Sequence, residues 1–105
     1  MSQLTVYRNK NPKSKAGFPY LLDIQSDLLS ELHTRVVIPL CSKSWLDNRP
    51  ITKLMPELEI EGEKLLVLTP QLAGISIGDL GEPVTSVSGY RSEILAALDL
   101  LITGF

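Results

Sequence analysis

One cysteine, one histidine and one tryptophan stand among 105 residues. With Cys41 alone, no intramolecular disulfide can form, which argues against a secreted, stapled domain. Neither His33 nor Cys41 has a partner at CxxC, HxxxH or similar spacing, so no metal or other cofactor is expected. His33 reads as a turn residue. Cys41 as a nucleophile would need His33 as its base, yet an apolar strand pattern separates the two. No apolar run approaches the roughly 20 residues that cross a bilayer, and Met1–Asn9 lacks a basic start followed by an apolar stretch of signal length. The expectation is a cytoplasmic protein with no membrane partner. The glycines, Gly78 and Gly81 among them, match neither a phosphate loop nor a dinucleotide fingerprint.

Nor does either sign of charge dominate: 10 basic residues stand against 12 acidic ones, for a formal net charge of −2. The one local basic cluster, Arg8, Lys10, Lys13 and Lys15, falls in a polar stretch that reads as a solvated loop, so direct nucleic-acid binding is not expected. Glu57, Glu59, Glu61 and Glu63 follow a strand alternation and lie on a wet face, not in a pocket that would make a general acid. No catalytic set emerges, and a protein that acts by binding a partner is expected in place of an enzyme. Apolar residues at 44 % and charged ones at 21 % are an ordinary globular balance, and the length suits one domain, 1–105, able to bury a core without staples.

What is present is mostly strand pattern. Gln3–Arg8 predicts a short strand with Leu4, Val6 and Arg8 on one side and Thr5 and Tyr7 on the other. The polar NKNPKSKAG stretch, Asn9–Gly17, leads to a second strand over Phe18–Gln25, making a hairpin with a long tip. A turn-rich excursion over Leu28–His33 precedes Thr34–Cys41, whose run of β-branched residues predicts a strand buried on both faces. Pro39 has no N–H, so that strand should end, bulge or lie at an edge there. Ser42–Asn48 suits one helical turn, with Trp45 anchoring it, and Arg49–Pro56 a loop. Glu57–Glu61 alternates strictly, and Gly62 turns it back into Lys64–Leu68. Ile75–Leu80 resumes extended character, Gly81 and Pro83 predict a turn, and Val84–Val87 follows.

The chain closes on an amphipathic helix. Ser86 or Ser88 is placed to cap it, and Tyr90–Ile102 contains no Gly or Pro. Tyr90, Ile94, Ala97, Leu98, Leu101 and Phe105 fall on one stripe, with Leu95 and Ile102 at its margin, and that face should pack on the sheet. Leu100 projects beside Glu93, away from the stripe. Gly104 suits a left-handed terminus. The fold class is therefore mainly β, a small barrel or curled sheet closed by one C-terminal helix.

The segments DIQSDLL (Asp23–Leu29), RVVIPL (Arg35–Leu40), the Gly81, Glu82, Val84 turn and the helix ending in Gly104 and a bulky apolar residue resemble, in this order, the CcdB family of bacterial toxins. The resemblance spans nearly the whole chain. It implies an SH3-like antiparallel barrel with a C-terminal helix, a homodimer, and a toxin of a toxin–antitoxin pair. It also implies partners: the A subunit of DNA gyrase, trapped on cleaved DNA, and a neutralising CcdA-like antitoxin. Carried over by motif, the gyrase-binding residues are Asp99, Ile102, Thr103, Gly104 and Phe105. Leu28 and Leu29, the aliphatics after QSD, match a partner-contact loop, although they would also serve to cover the barrel mouth. The family's best-known member has tryptophan where Thr103 stands, phenylalanine at Ile102 and asparagine at Asp99. Loss of a tryptophan from a binding face costs about 2 kcal/mol or more.

Two other functions are compatible with the barrel. MazF ribonucleases share it, and Arg35 and Arg49 are the candidate cations for such chemistry, though the acidic balance opposes an RNA groove. A CcdB relative that binds its antitoxin but no longer poisons gyrase is the other.

Overall fold

In a computed structural model, residues 2–43 and 53–104 are described. They form strands β1 (Thr5–Asn9), β2 (Tyr20–Asp23), β3 (Thr34–Ser42), β4 (Glu57–Ile60), β5 (Glu63–Val67), β6 (Ala73–Ser76) and β7 (Leu80–Ser86), followed by helix α1 (Arg91–Thr103). The order β4-β5-β3-β2-β1-β7 is antiparallel throughout, with β6 pairing on β3 beyond β5. This curled half-barrel with one terminal helix is the mainly β, SH3-like architecture expected. The turn expected over Ser42–Asn48, Trp45 and Arg49 fall wholly or largely outside the described residues, as does Phe105.

β1 begins later than the pattern suggests. Leu4 sits at φ 64, a left-handed conformation that costs a non-glycine residue about 1–2 kcal/mol. The kink turns Leu4 into the main core beside Val6 and Tyr20, and burying a leucine returns about as much. Arg8 is exposed, while Tyr7 joins Leu21, Val37 and Leu80 in a second cluster. β2 is shorter than the eight residues of its pattern, and its hairpin tip is held by Asn9, whose Nδ2 donates to Ser14 Oγ and to the Phe18 carbonyl.

β3 is buried on both faces. Ile38 and Leu40 lie in the main core, Val37 in the second cluster, and Cys41 with Leu66 and Leu68 in a third. It runs through Pro39 without ending or bulging. Toward β2 it pairs over Val37–Leu40; on its other side it leaves β6 at Val37 and meets β5 at Leu40. The Pro39 carbonyl accepts from Leu68 N on that second side, so the missing N–H falls in the gap between the two partners. A proline is tolerated there for the same reason as at an edge.

β4 alternates exposed Glu57 and Glu59 with buried Leu58 and Ile60. Glu61 and Gly62, at φ 53 and 80, make the two-residue turn with both φ positive that matches strand twist. The turn predicted at Gly81 and Pro83 lies instead at Ile77–Asp79, a 3₁₀ turn in which Ser76 Oγ accepts from Gly78 N. Gly81 and Pro83 are within β7. Pro83 is accommodated because β7 is the last strand of the order. Gly81 is needed because a Cβ there would meet the Arg8 carbonyl oxygen at 2.8 Å.

The helix is not capped by Ser88. Ser86 Oγ accepts from Ser88 N at the start of a 3₁₀ turn over Ser88–Tyr90 that feeds α1, and neither Val87, before that turn, nor Tyr90, before the helix, makes a side-chain cap. Ile94 and Ala97 are fully buried, Tyr90 and Leu98 pack partly on the main core, and the helix rests on the Thr69–Gln71 turn. The buried stripe is therefore narrower than predicted. Leu100, expected to project away from the core, is half-buried.

Candidate functional site

The last turn of α1 gathers Asp99, Ile102, Thr103 and Gly104. Gly104 is left-handed at φ 82, and its N–H donates to the Leu100 carbonyl, so the helix stops there and the chain changes direction. Thr103 Oγ1 donates back to the Asp99 carbonyl at 2.7 Å, which spends its hydroxyl within the helix. Ile102 is 74 % exposed, and Asp99 and Thr103 are exposed beside it. Leu95, 39 % exposed, lies seven residues before Ile102 and so at almost the same angle around the helix. Placed by its pattern at the margin of the core stripe, this pair instead belongs to an outward apolar strip. The signal was the i, i+7 spacing, which a single core stripe had absorbed. Ile94 and Ala97, buried about a third of a turn around the helix from this strip, fix its direction.

A second exposed apolar surface lies on another element, the 3₁₀ turn Asp27–Leu29. Leu28 is 93 % exposed, Leu29 50 % and Leu32 49 %. Neither Leu28 nor Leu29 belongs to a buried core cluster. A large aliphatic side chain held so fully in water costs the burial energy it forgoes, about 1.5–3 kcal/mol.

Behind this turn lies a buried polar network. Arg35 Nη2 meets Asp23 Oδ2 at 2.7 Å, and both side chains are essentially inaccessible, at 1 % and 0 % exposure. Arg35 Nε donates to the same oxygen and Nη2 to the Gln25 carbonyl. Asp23 Oδ1 accepts from Gln25 N. Gln25 then bridges outward: its Oε1 accepts from Val36 N, and its Nε2 donates to the Leu29 carbonyl. Asp27, at the start of the turn, accepts from Gln3 N and lies 3.9 Å from Arg35. Ser26 Oγ caps the turn through Leu28 N. The charged and amide residues of DIQSDLL and the arginine of RVVIPL thus form one unit.

A family model described as CcdB protein matches residues 3–104. The chain belongs to the CcdB family. It is a toxin of the toxin–antitoxin kind, and two of the segments that carry the resemblance, DIQSDLL and RVVIPL, are joined by the Asp23–Arg35 pair.

Membership also bears on the chemistry weighed from sequence. In this CcdB chain Arg35 is enclosed and committed to Asp23, so it is not offered to a substrate phosphate as the ribonuclease reading required. Arg49 lies outside the described residues. The Cys41 thiol is buried, and burial pushes its pKa up, which disfavours the thiolate a nucleophile needs. His33 is exposed at the far end of β3, and an extended strand of this length separates the two by about 25 Å. Among the described residues no group of three or more His, Cys, Asp or Glu could hold a metal ion, and no helix is long and apolar enough to cross a membrane.

Proposed function

We propose that this CcdB-family toxin binds the A subunit of DNA gyrase and holds the enzyme on cleaved DNA, and that a CcdA-like antitoxin neutralises it. The observation that carries the reading is the exposed last turn of α1: an outward Ile102 beside Asp99, Thr103 and Gly104, on a helix whose other side is anchored in the core. Leu28 and Leu29 supply a second apolar contact. The active form is a homodimer, since a two-fold toxin suits a two-fold target, and the protein acts in the cytoplasm without catalysis of its own. Incubated with gyrase, ATP and supercoiled plasmid, then treated with detergent and protease, it should yield linear DNA. No cleaved product at saturating protein would refute the proposal.

One observation favours a second reading, a relative that mainly binds its antitoxin. The Thr103 hydroxyl is turned back on the Asp99 carbonyl, leaving a small side chain where the family's best-known member has tryptophan. Under the first reading, induced expression arrests growth and a gyrase A mutation rescues it. Under the second, wild type is harmless and Thr103→Trp gains toxicity.

A further inference from the structure

The Asp27–Leu29 turn raises a physical question: what keeps Leu28 at 93 % exposure when burial would be favourable? The turn's own hydrogen bonds are few: Leu29 N to the Ser26 carbonyl, Ser30 N to the Asp27 carbonyl, Leu32 N to the Leu29 carbonyl and Leu28 N to Ser26 Oγ. Asp27 ties the start of the turn to Gln3 N and approaches Arg35, which leaves the end that carries Leu29 to be fixed. None of its three residues is buried. A turn this short has no core of its own to fix its orientation. Gln25 does have one: it is only 6 % exposed and is bonded on the inside to Asp23 and Val36. From that fixed position its Nε2 reaches the Leu29 carbonyl at 3.0 Å.

We infer that Gln25 is a positioning residue for the toxin's apolar contact surface. It touches no partner itself; it transfers the rigidity of the buried Asp23–Arg35 pair to the turn and so holds Leu28 and Leu29 outward. The side chain suits the task because it is uncharged and has both a donor and an acceptor at one tip. Its acceptor is spent on β3 and its donor on the turn. A glutamate would keep the bond to Val36 N but face the Leu29 carbonyl with a second acceptor; a methionine would fill the space and make neither bond. The inference rests on the proposed reading that Leu28 and Leu29 contact the gyrase A subunit.

The test is a double-mutant cycle on binding to purified gyrase A subunit, measured by calorimetry on the full chain. Gln25→Met should weaken binding about threefold to tenfold, the worth of one or two neutral hydrogen bonds. In a Leu28→Ala/Leu29→Ala background the same change should alter binding less than twofold, because there is no contact left to position. Equal losses in both backgrounds, or no loss in the first, overturn the inference. Gln25→Glu, which keeps the anchor on β3, replaces Gln25→Met should that variant fail to fold. If the wild type does not bind gyrase A, the partner reading fails but the positioning does not stand or fall with it. Amide exchange over residues 26–32 then decides: accelerated exchange in Gln25→Glu with β2 and β3 unchanged supports it, and unaltered exchange overturns it.

Discussion

Replacing Arg35 by methionine tests whether the Asp23–Arg35 pair organises the fold. The substitution keeps an unbranched chain of similar reach and leaves the Asp23 carboxylate in a site with no solvent access. Breaking a buried pair from one side costs about 3–5 kcal/mol, because the remaining charge has lost its partner. The lower end applies here: Arg35 Nη1 is itself buried without a hydrogen-bond partner, and removing it relieves a cost of about 1–3 kcal/mol. A loss of about 3 kcal/mol is a large part of the 5–15 kcal/mol that holds a domain of this size together, and it lowers the melting temperature by about 12 °C or more. Urea denaturation followed by circular dichroism measures it. Adding Asp23→Asn removes the stranded charge while keeping an oxygen to accept from Gln25 N. The double variant should therefore recover about 1–2 kcal/mol, within the range of coupling between contacting residues. A loss below about 1 kcal/mol for Arg35→Met alone, the level of an exposed ion pair, would refute the reasoning.

Three further outcomes follow from the packing. Gly81→Ala should lose about 1–3 kcal/mol in the same denaturation experiment, since its Cβ would press on the Arg8 carbonyl and force β1 from β7. Ile94→Ala should lose about 2–5 kcal/mol, because Ile94 is the fully buried side chain by which α1 enters the main core; a smaller loss would mean that the helix is held elsewhere. Cys41 should resist a thiol reagent at pH 8 in the native protein and react quickly in urea. Its raised pKa means that the thiol stays protonated when folded at a pH where the unfolded chain already ionises, so stability is lost as pH rises through the unfolded value toward the folded one, and alkaline denaturation should be milder in Cys41→Ala.

How far the sequence foretold this structure depended on whether the deciding interaction was local. The Glu57–Glu61 alternation and the doubly buried β3 were legible because burial leaves a period in the chain. Gly104 was legible because a helix end has its own residue preference. The turn placed at Gly81 and Pro83 failed for the opposite reason: these residues answer to β1 and to the end of the strand order, which only the tertiary fold defines. Pro39 misled in the same way, its missing N–H being matched to a change of partner and not to a strand end. At the helix, one broad stripe hid two narrower ones, a buried side through Ile94 and Ala97 and an outward side through Leu95 and Ile102. The resemblance rested on DIQSDLL and RVVIPL, but nothing in their spacing disclosed that Gln25 joins the two through Arg35 and Val36.

The position of Pro39 has a consequence for how the chain reaches its fold. β3 needs β2, which precedes it, but also β5 and β6, which follow it by some twenty to forty residues. During synthesis the apolar stretch from Val36 to Cys41 therefore waits with one edge open, and an open strand of β-branched residues is a template for pairing with other chains. Proline within that stretch leaves a break in the open edge where another strand would need a donor, and it is unfavourable in the stacked arrangement of fibrils. The residue that lets β3 change partners in the finished barrel thus also protects it from the wrong partner before the barrel exists.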